Sequence, residues 1–477
     1  MRDPIISGRG NLVIKLNMKF NFVWFLLITL FLFSRFYNLG ELPLFSDEGY
    51  AVARAWELKN TGELLGMVKY TTQPVFIWLI ALFQFLPLNN VISGRLVSGV
   101  FGLGSALLMS KLAGKWIGKN AEIPAFILMA ILPFSVFYDR TILFESTTLF
   151  FMILAIDFPL TVGLAILTKQ TGWLILPLVL ALGKRNLKER VITILIGTLT
   201  VVAVWYLVLE NFSLITGSML GKTAAPISVF GNLRNNLLRS KLWLIDYLTW
   251  PVIGLSVIGG LSAIINAIRG KKISPVLIVG GWTLGVFLFI NKTAVIFYPR
   301  YLYAMLLGII LLAVNGWEFI RRRGLNKIVL SGLFLLVLLP GIISSKKIIT
   351  TPKEAKIPSE DRFQFFEDWT SGVGSGDVAD EIFRSVEGGR INVYLEEENS
   401  YFVTLKSDQR LKEVEIEAVA WLTDPLTDIP DEVMQDKKTS LFIRNRHPDI
   451  PDNWPVELVG SYPKTDKRSV YLYKIIK

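Results

Sequence analysis

A polytopic α-helical membrane protein with a small C-terminal α/β soluble domain is predicted by three features of the chain. Its 477 residues are 52% hydrophobic with a mean hydropathy of +0.48, too apolar for a soluble enzyme. The apolar residues fall in repeated runs of roughly 15–20, enough to cross a hydrocarbon core, separated by short basic loops. After Ser344 the hydropathy drops and acidic residues appear. The net charge of +11 follows the loop bias of membrane proteins and implies no nucleic-acid partner. The chain has no cysteine and one histidine, His447. Disulfides, cysteine nucleophiles and histidine-rich metal centres are therefore excluded, and little room is left for a Ser-His-Asp hydrolase.

The N-terminal segment Met1 to Lys19 carries Arg2, Arg9, Lys15 and Lys19, and a first span runs from Phe20 to Tyr37. No small-residue cleavage site follows, so the segment reads as an uncleaved anchor with its basic flank cytoplasmic. Residues 39–91 form a first external loop. In it Ser46 is expected to cap a helix from Asp47 to Asn60, ended by Thr61-Gly62.

Pro74–Leu86 is apolar, and the charges decide its placement. If it lies flat in the interface, the basic clusters all fall inside: Lys111, Lys115 and Lys119; Lys184-Arg185 with Lys188 and Arg190; Arg269 with Lys271-Lys272; and Arg321-Arg322-Arg323. If it spans, all fall outside, against the positive-inside rule. The remaining spans are Ile92–Leu112, Ile123–Tyr138, Leu143–Ile156, Phe158–Leu167, Gly172–Leu182, Val191–Leu209, Leu242–Ile268, Ile273–Ile290, Tyr301–Phe319 and Ile328–Ile343. With the first, that makes about eleven transmembrane helices. The two around Asp157 are short and their connection lacks positive charge, so a re-entrant pair is the alternative there.

Residues 1–344 thus form the transmembrane domain and 345–477 an extracytoplasmic domain. The latter is expected to hold a helix at Asp377–Val386 and strands at Ile391–Leu395, Ala418–Leu422, Ser440–Arg444 and Val470–Ile475.

On this topology one face collects the chemistry. Asp47 and Glu48 follow the first span, and Asp139, Arg140 and Glu145 lie between the third and fourth. Lys169 and Gln170 follow the fifth, while Lys292, Tyr298 and Arg300 precede the tenth, which Tyr301 opens. Ionisable groups at membrane depth are functional or paired. Carboxylates and cations together at the lipid boundary suit a substrate with an anionic head and a lipid tail. The reaction that fits is sugar transfer from a polyprenyl-phosphate donor. Arg140, Lys169 and Arg300 would hold the phosphate as its charge grows, and a carboxylate would take the acceptor's proton. Adjacent helical residues do not share a face, so one of Asp47 and Glu48 is the base, and Asp47 is the choice. Asp139, Glu145, Gln170, Tyr298 and Tyr301 complete the expected substrate contacts.

The Ser46-Asp47-Glu48-Gly49 motif after the first span resembles the Asp-Glu motif of the GT-C glycosyltransferases. The closer likeness is to the branch with the protein O-mannosyltransferases and the lipid A aminoarabinose transferase. Gly94-Arg95-Leu96, Tyr138-Asp139-Arg140 with Glu145, Gly163-Leu164-Ala165-Ile166-Leu167-Thr168-Lys169 and Tyr298-Pro299-Arg300-Tyr301-Leu302 follow in order, over roughly Phe20 to Val314. The resemblance implies an inverting hexosyl- or pentosyltransferase of a bacterial or archaeal plasma membrane, its acceptor a protein or a glycolipid, its base at the position of Asp47. Thr72-Gln73-Pro74 stands where that family often has a basic residue or histidine before a double proline. The oligosaccharyltransferase signature of paired tryptophans before Asp-Tyr-Gly is absent. Neither metal nor other cofactor is expected.

Plainer readings stand beside these. Ser46-Asp47-Glu48 also reads as a helix cap with acids on the dipole, Asp139-Arg140 as an ion pair at a helix end, and Lys169 and Arg300 as snorkelling side chains. Gly372–Asp377 is a loop before a helix rather than a nucleotide cradle. Trp369 reads as a buried aromatic or a sugar platform. Asn211-Phe212-Ser213 and Asn291-Lys292-Thr293 are glycosylation sequons on the external side. A lipid-linked-saccharide transporter or flippase and a receptor or scaffold are the alternative functions.

Overall fold

The structure, a computed structural model, describes residues 22–64, 73–183, 186–208, 229–270, 273–386, 391–396, 400–418, 429, 431–435, 438–446, 450–451 and 453–476. The expectations for Met1–Lys19, Thr72, Lys184-Arg185, the Asn211 sequon, Lys271-Lys272, residues 419–422 and His447 lie outside these residues.

The helical part begins with α1 (Phe22–Phe36), α2 (Ser46–Thr61), α3 (Pro74–Phe83), α4 (Asn90–Trp116), α5 (Glu122–Ile131), α6 (Pro133–Tyr138) and α7 (Glu145–Asp157). It continues with α8 (Val162–Thr168), α9 (Leu176–Leu182), α10 (Leu187–Val208), α11 (Val229–Leu248), α12 (Trp250–Ile268), α13 (Pro275–Thr293), α14 (Leu306–Arg321) and α15 (Lys327–Thr350). Among the described residues, five helices are long and apolar enough to cross a membrane: Asn90–Trp116, Trp250–Ile268, Pro275–Thr293, Pro299–Arg321 and Lys327–Thr350. Phe22–Phe36, Pro74–Phe83, Pro159–Thr168 and Gln170–Leu182 are shorter apolar helices.

Two expected continuous spans are interrupted, each at a proline. Leu132, with ψ 130°, is extended, the conformation a following proline imposes, so Ile123–Tyr138 becomes α5 and α6. Leu242–Ile268 divides at Thr249, whose φ is +66°, just before Pro251 in the first turn of α12. At the crossing of α12 and α14, a Cβ on Gly259 would run into the Leu312 carbonyl and the Gly316 amide. Small residues there let two backbones meet where lipid supplies no hydrophobic drive.

Lys115, near the end of α4, lies 2.9 Å from Asp157 at the end of α7. The positive charge missing from the Asp157 connection is thus supplied by α4. The opposite end of α4, at Arg95, packs under the first loop. Gly62 closes α2 in the left-handed conformation (φ +71°), which favours glycine.

Beyond α15 come a short turn at Pro352–Glu354, α16 (Ser359–Arg362) and a π-helical turn at Phe363–Glu367. Then follow α17 (Ser375–Val386), β1 (Ile391–Leu395), α18 (Ser400–Ser407), β2 (Glu415–Ala418), α19 (Asp431–Gln435), β3 (Thr439–Arg444), β4 (Val456–Thr465) and β5 (Arg468–Ile475). The strand order is β2-β1-β3-β5-β4, parallel from β2 to β3 and antiparallel beyond. β4 was not expected from sequence because Gly460 and Pro463 interrupt it. It is an edge strand with two register shifts, where such residues are tolerated.

Alternation along β1 covers both faces of the sheet. Val393 and Leu395 join Val378, Ile382, Tyr401 and Leu405 in one buried cluster. Tyr394 joins Phe442, Trp454 and Ile475 in another. The first cluster runs on into Ala51, Val52, Ala55 and Leu58 of α2 and Phe76 and Ile80 of α3. The first loop and the C-terminal domain therefore share one core.

Candidate active site

Successive residues on a helix point about 100° apart, and at the start of α2 this separates the two carboxylates. Glu48 is fully buried. Its carboxylate accepts the N–H groups of Phe45 (2.8 Å) and Ile142 (2.6 Å), and Arg95 lies 3.3 Å away. Arg95 in turn donates to the carbonyls of Leu39, Leu42 and Pro43. Glu48, expected beside Asp47 in the catalytic pair, thus closes the helix start with its carboxylate engaged by two backbone N–H groups and Arg95. Ser46 does not cap the helix: Phe45 occupies the cap position and the Ser46 hydroxyl is buried without a partner among the described residues.

The Asp47 side chain is 44% exposed, and its Oδ2 lies 3.1 Å from Arg300 Nη2. Arg300 rises from the 3-10 turn Pro299–Met305 that leads into α14. Its guanidinium sits against the rings of Tyr298 (4.8 Å) and Phe45 (5.4 Å), and its Nη1 is buried without a partner among the described residues. Beside it Lys169 forms an ion pair with Glu145, and the Lys169 ammonium lies 5.3 Å from the Tyr301 ring. Glu145 keeps one carboxylate oxygen without a partner among the described residues. Tyr298 and Tyr301 meet edge to face at 6.0 Å. Gln170, half-buried, opens the next 3-10 turn. Residues from four separated stretches of chain thus converge: Asp47, Glu145, Lys169 and the Tyr298–Tyr301 group.

Two expected members are placed elsewhere. Arg140 is buried and donates to the carbonyls of Ser34, Arg35, Tyr37 and Asn38 at distances from 2.8 to 3.1 Å. It completes the end of α1, where a cation also meets the negative end of the helix dipole. Arg140, expected as a phosphate ligand, thus has two of its guanidinium nitrogens engaged by the end of α1, while its Nε has no partner among the described residues. Asp139 is fully buried, bound to Arg35 (2.9 Å), Ser146 (2.6 Å) and Tyr303 (3.1 Å). It ties α1 to α7 and to the 3-10 turn Pro299–Met305 that leads into α14. Lys292 is exposed at the end of α13. Asn291, the sequon asparagine, is buried and bonded to Ser240 and the Phe287 carbonyl, out of reach of a modifying enzyme.

Asp361 was missed from sequence. Buried in α16, it accepts the hydroxyls of Tyr138 (2.7 Å) and Tyr247, which come from α6 and α11. An acidic residue in a polar stretch gives no local signal of such burial. Trp369 is half-buried with the Arg446 guanidinium 4.5 Å from its ring. Gly372–Ser375 forms the turn into α17 and lines a cleft of about 840 Å³ with Leu42, Ile92 and Phe366.

Burial pushes the Asp361 carboxyl from its ordinary 3.8 up to about 6, against the lowering effect of the two tyrosine hydroxyls and Arg300, with Glu145 adding to the rise. A carboxyl whose folded value is raised favours folding in its protonated form. The ionisation cost is absent below about pH 4, accumulates between about pH 4 and 6, and levels off above that at about 3 kcal/mol. Both tyrosines donate to one oxygen, so Asp361→Asn keeps an acceptor while removing the charge. In detergent this variant is expected to match the parent's thermal unfolding temperature near pH 4 and exceed it near pH 8.

The fold and this cluster define a class: a polytopic helical membrane protein of GT-C-like fold with paired charges at one end. Among solved structures the chain is similar to the aminoarabinose transferase ArnT of Cupriavidus metallidurans bound to undecaprenyl phosphate. The TM-score is 0.62 at 16% identity, over 94% of this chain and 98% of that one. The apo state of the same transferase gives 0.57 at 15% identity with the same coverage. No protein-family model matches the chain, and no curated protein matches it by sequence.

Proposed function

We propose that the chain is a membrane glycosyltransferase that moves a hexose or pentose from a polyprenyl-phosphate donor to a protein or glycolipid acceptor. The observation that carries this reading is the Asp47–Arg300 pair set beside Lys169–Glu145 at one end of the helical domain. A transferase of the same fold has been solved with undecaprenyl phosphate, which supports a lipid-phosphate donor here. The Asp47 end would face outward, with the N-terminus cytoplasmic and residues 345–477 outside, in a bacterial or archaeal plasma membrane.

In this reading Arg300 and Lys169 bind the donor phosphate, and Arg300 Nη1 supplies a donor that no group among the described residues uses. The Asp47 carboxylate takes the proton of the acceptor hydroxyl. The acceptor oxygen bonds to the anomeric carbon as the bond from that carbon to the phosphate oxygen breaks. The electron pair leaves with the phosphate, and the two cations neutralise charge that grows toward the transition state. Attack opposite the leaving group inverts the anomeric centre.

The test is incubation of the purified full chain with labelled polyprenyl-phosphate hexoses and pentoses, with peptide and glycolipid acceptors supplied. One donor is expected to be consumed with release of free polyprenyl phosphate. If every donor survives intact, the reading is wrong.

A further inference from the structure

Residues 359–372 run from α16 to the start of the C-terminal domain, and they are held from three directions. From the helical domain, Tyr138 and Tyr247 donate to Asp361 and Trp243 donates to the neighbouring Glu360. From the sheet, Lys464 of β4 donates to the carbonyls of Asp368 (3.1 Å) and Ser371, and Asn445 donates to that of Trp369 (2.7 Å). The third contact is with the first loop. The Ser46 N–H donates to the Thr370 carbonyl (2.9 Å) and the Gly372 N–H to the Leu44 carbonyl (2.8 Å), a short antiparallel pairing of Phe45 with Ser371. Phe365 seals the junction, its ring 5.1 Å from Phe45 and 5.0 Å from Phe137.

The residue after Ser46 is Asp47, and the ring beneath Arg300 is Phe45. The backbone that aims the proposed base is therefore bonded to a segment some 320 residues later in the chain. Ser46 forms no side-chain cap, and the Glu48 carboxylate that takes the Phe45 N–H is the capping contact that α2 itself supplies, so the strap adds a second restraint on the entry angle.

Resting on the transferase reading above, we propose that residues 359–372 are a positioning strap and that Asp361 is its anchor. By pinning the strap to α6 and α11, Asp361 sets the start of α2 and with it the reach of Asp47 toward an acceptor. The C-terminal domain then takes part in the reaction through the strap rather than as a cover. Lys169 and Arg300 rise from the helical domain, so donor binding does not depend on the anchor to the same degree.

Asp361→Ala and Asp361→Asn are compared in the full-length protein for turnover, for polyprenyl-phosphate affinity and for strap opening. Opening is read by maleimide labelling of Ser46→Cys, the single thiol in a cysteine-free chain, at a buried site. Asp361→Ala is expected to lower kcat by about 10- to 100-fold, the scale of a 1 Å misplacement of a reacting group. Polyprenyl-phosphate affinity should change by no more than about three-fold, since ground-state binding is separable from turnover, while labelling rises. Asp361→Asn, which still accepts both hydroxyls, should restore kcat to within about three-fold and keep the thiol protected.

A kcat for Asp361→Ala within about two-fold of the parent, or an Asp361→Asn variant as impaired as the alanine, overturns the proposal. If Asp361→Ala does not fold, Tyr247→Phe removes one donor. A smaller kcat loss with increased labelling then supports the strap, and no change in either refutes it. Asp47→Asn separates the two readings. If it transfers sugar normally, the base assignment is wrong. If it is inactive while Asp361→Ala is fully active, only the strap is wrong.

Discussion

Asp47→Asn is expected to lower sugar-transfer turnover by about 10²- to 10⁴-fold, the range a positioned general base contributes. Asparagine has nearly the same shape but cannot take a proton from the acceptor hydroxyl. The Asp47 side chain is half exposed and makes its ion pair with Arg300 at the edge of the site, so the substitution breaks no core contact. The expected signature is a lost kcat with the unfolding temperature retained. Polyprenyl-phosphate affinity should hold or rise, because Arg300 loses its competing anion. Measured turnover of Asp47→Asn equal to the parent's would show that another group accepts the proton.

Glu48→Ala gives the opposite result: folding fails while the chemistry is untouched in principle. The substitution leaves the buried Arg95 without its carboxylate partner and orphans the N–H groups of Phe45 and Ile142. Breaking a buried ion pair from one side costs about 3–5 kcal/mol. That is a large share of the ~5–15 kcal/mol that separates folded from unfolded domains. A strong drop in yield and in thermal stability in detergent is expected, and a stable, well-expressed Glu48→Ala protein would contradict the geometry. Two neighbouring carboxylates thus yield an activity defect and a stability defect.

Local patterns carried much of the reading. The helical class follows from repeated apolar runs close to the length a bilayer needs, and β1 is expected at Ile391–Leu395, where it is observed, because bulky β-formers bounded by polar residues mark a strand. Interrupted spans were harder, since a run such as Leu242–Ile268 keeps its hydropathy through the break at Thr249. Lys169 and Arg300 stood out as cations at the ends of apolar runs, so their meeting with Glu145 and Asp47 could be expected from charge alone. Asp139 and Arg140 share that local character, yet their partners lie on α1, the turn after it, α7 and the 3-10 turn Pro299–Met305. Asp361 and Glu48 gave no sign of burial, because burial depends on which distant surfaces close over a residue.

Hydropathy, charge bias and residue order are properties of neighbours along the chain, and they were enough to establish a polytopic helical protein, its small α/β appendix and a charged face with Asp47 on it. Which carboxylate stays half exposed and which is buried, which arginine caps a helix, and how a late segment grips the first loop are matters of long-range pairing. A buried ion is tolerated only where the assembled fold brings it a partner, so roles for Glu48, Arg140 and Asp361 emerge only once the helix ends have met.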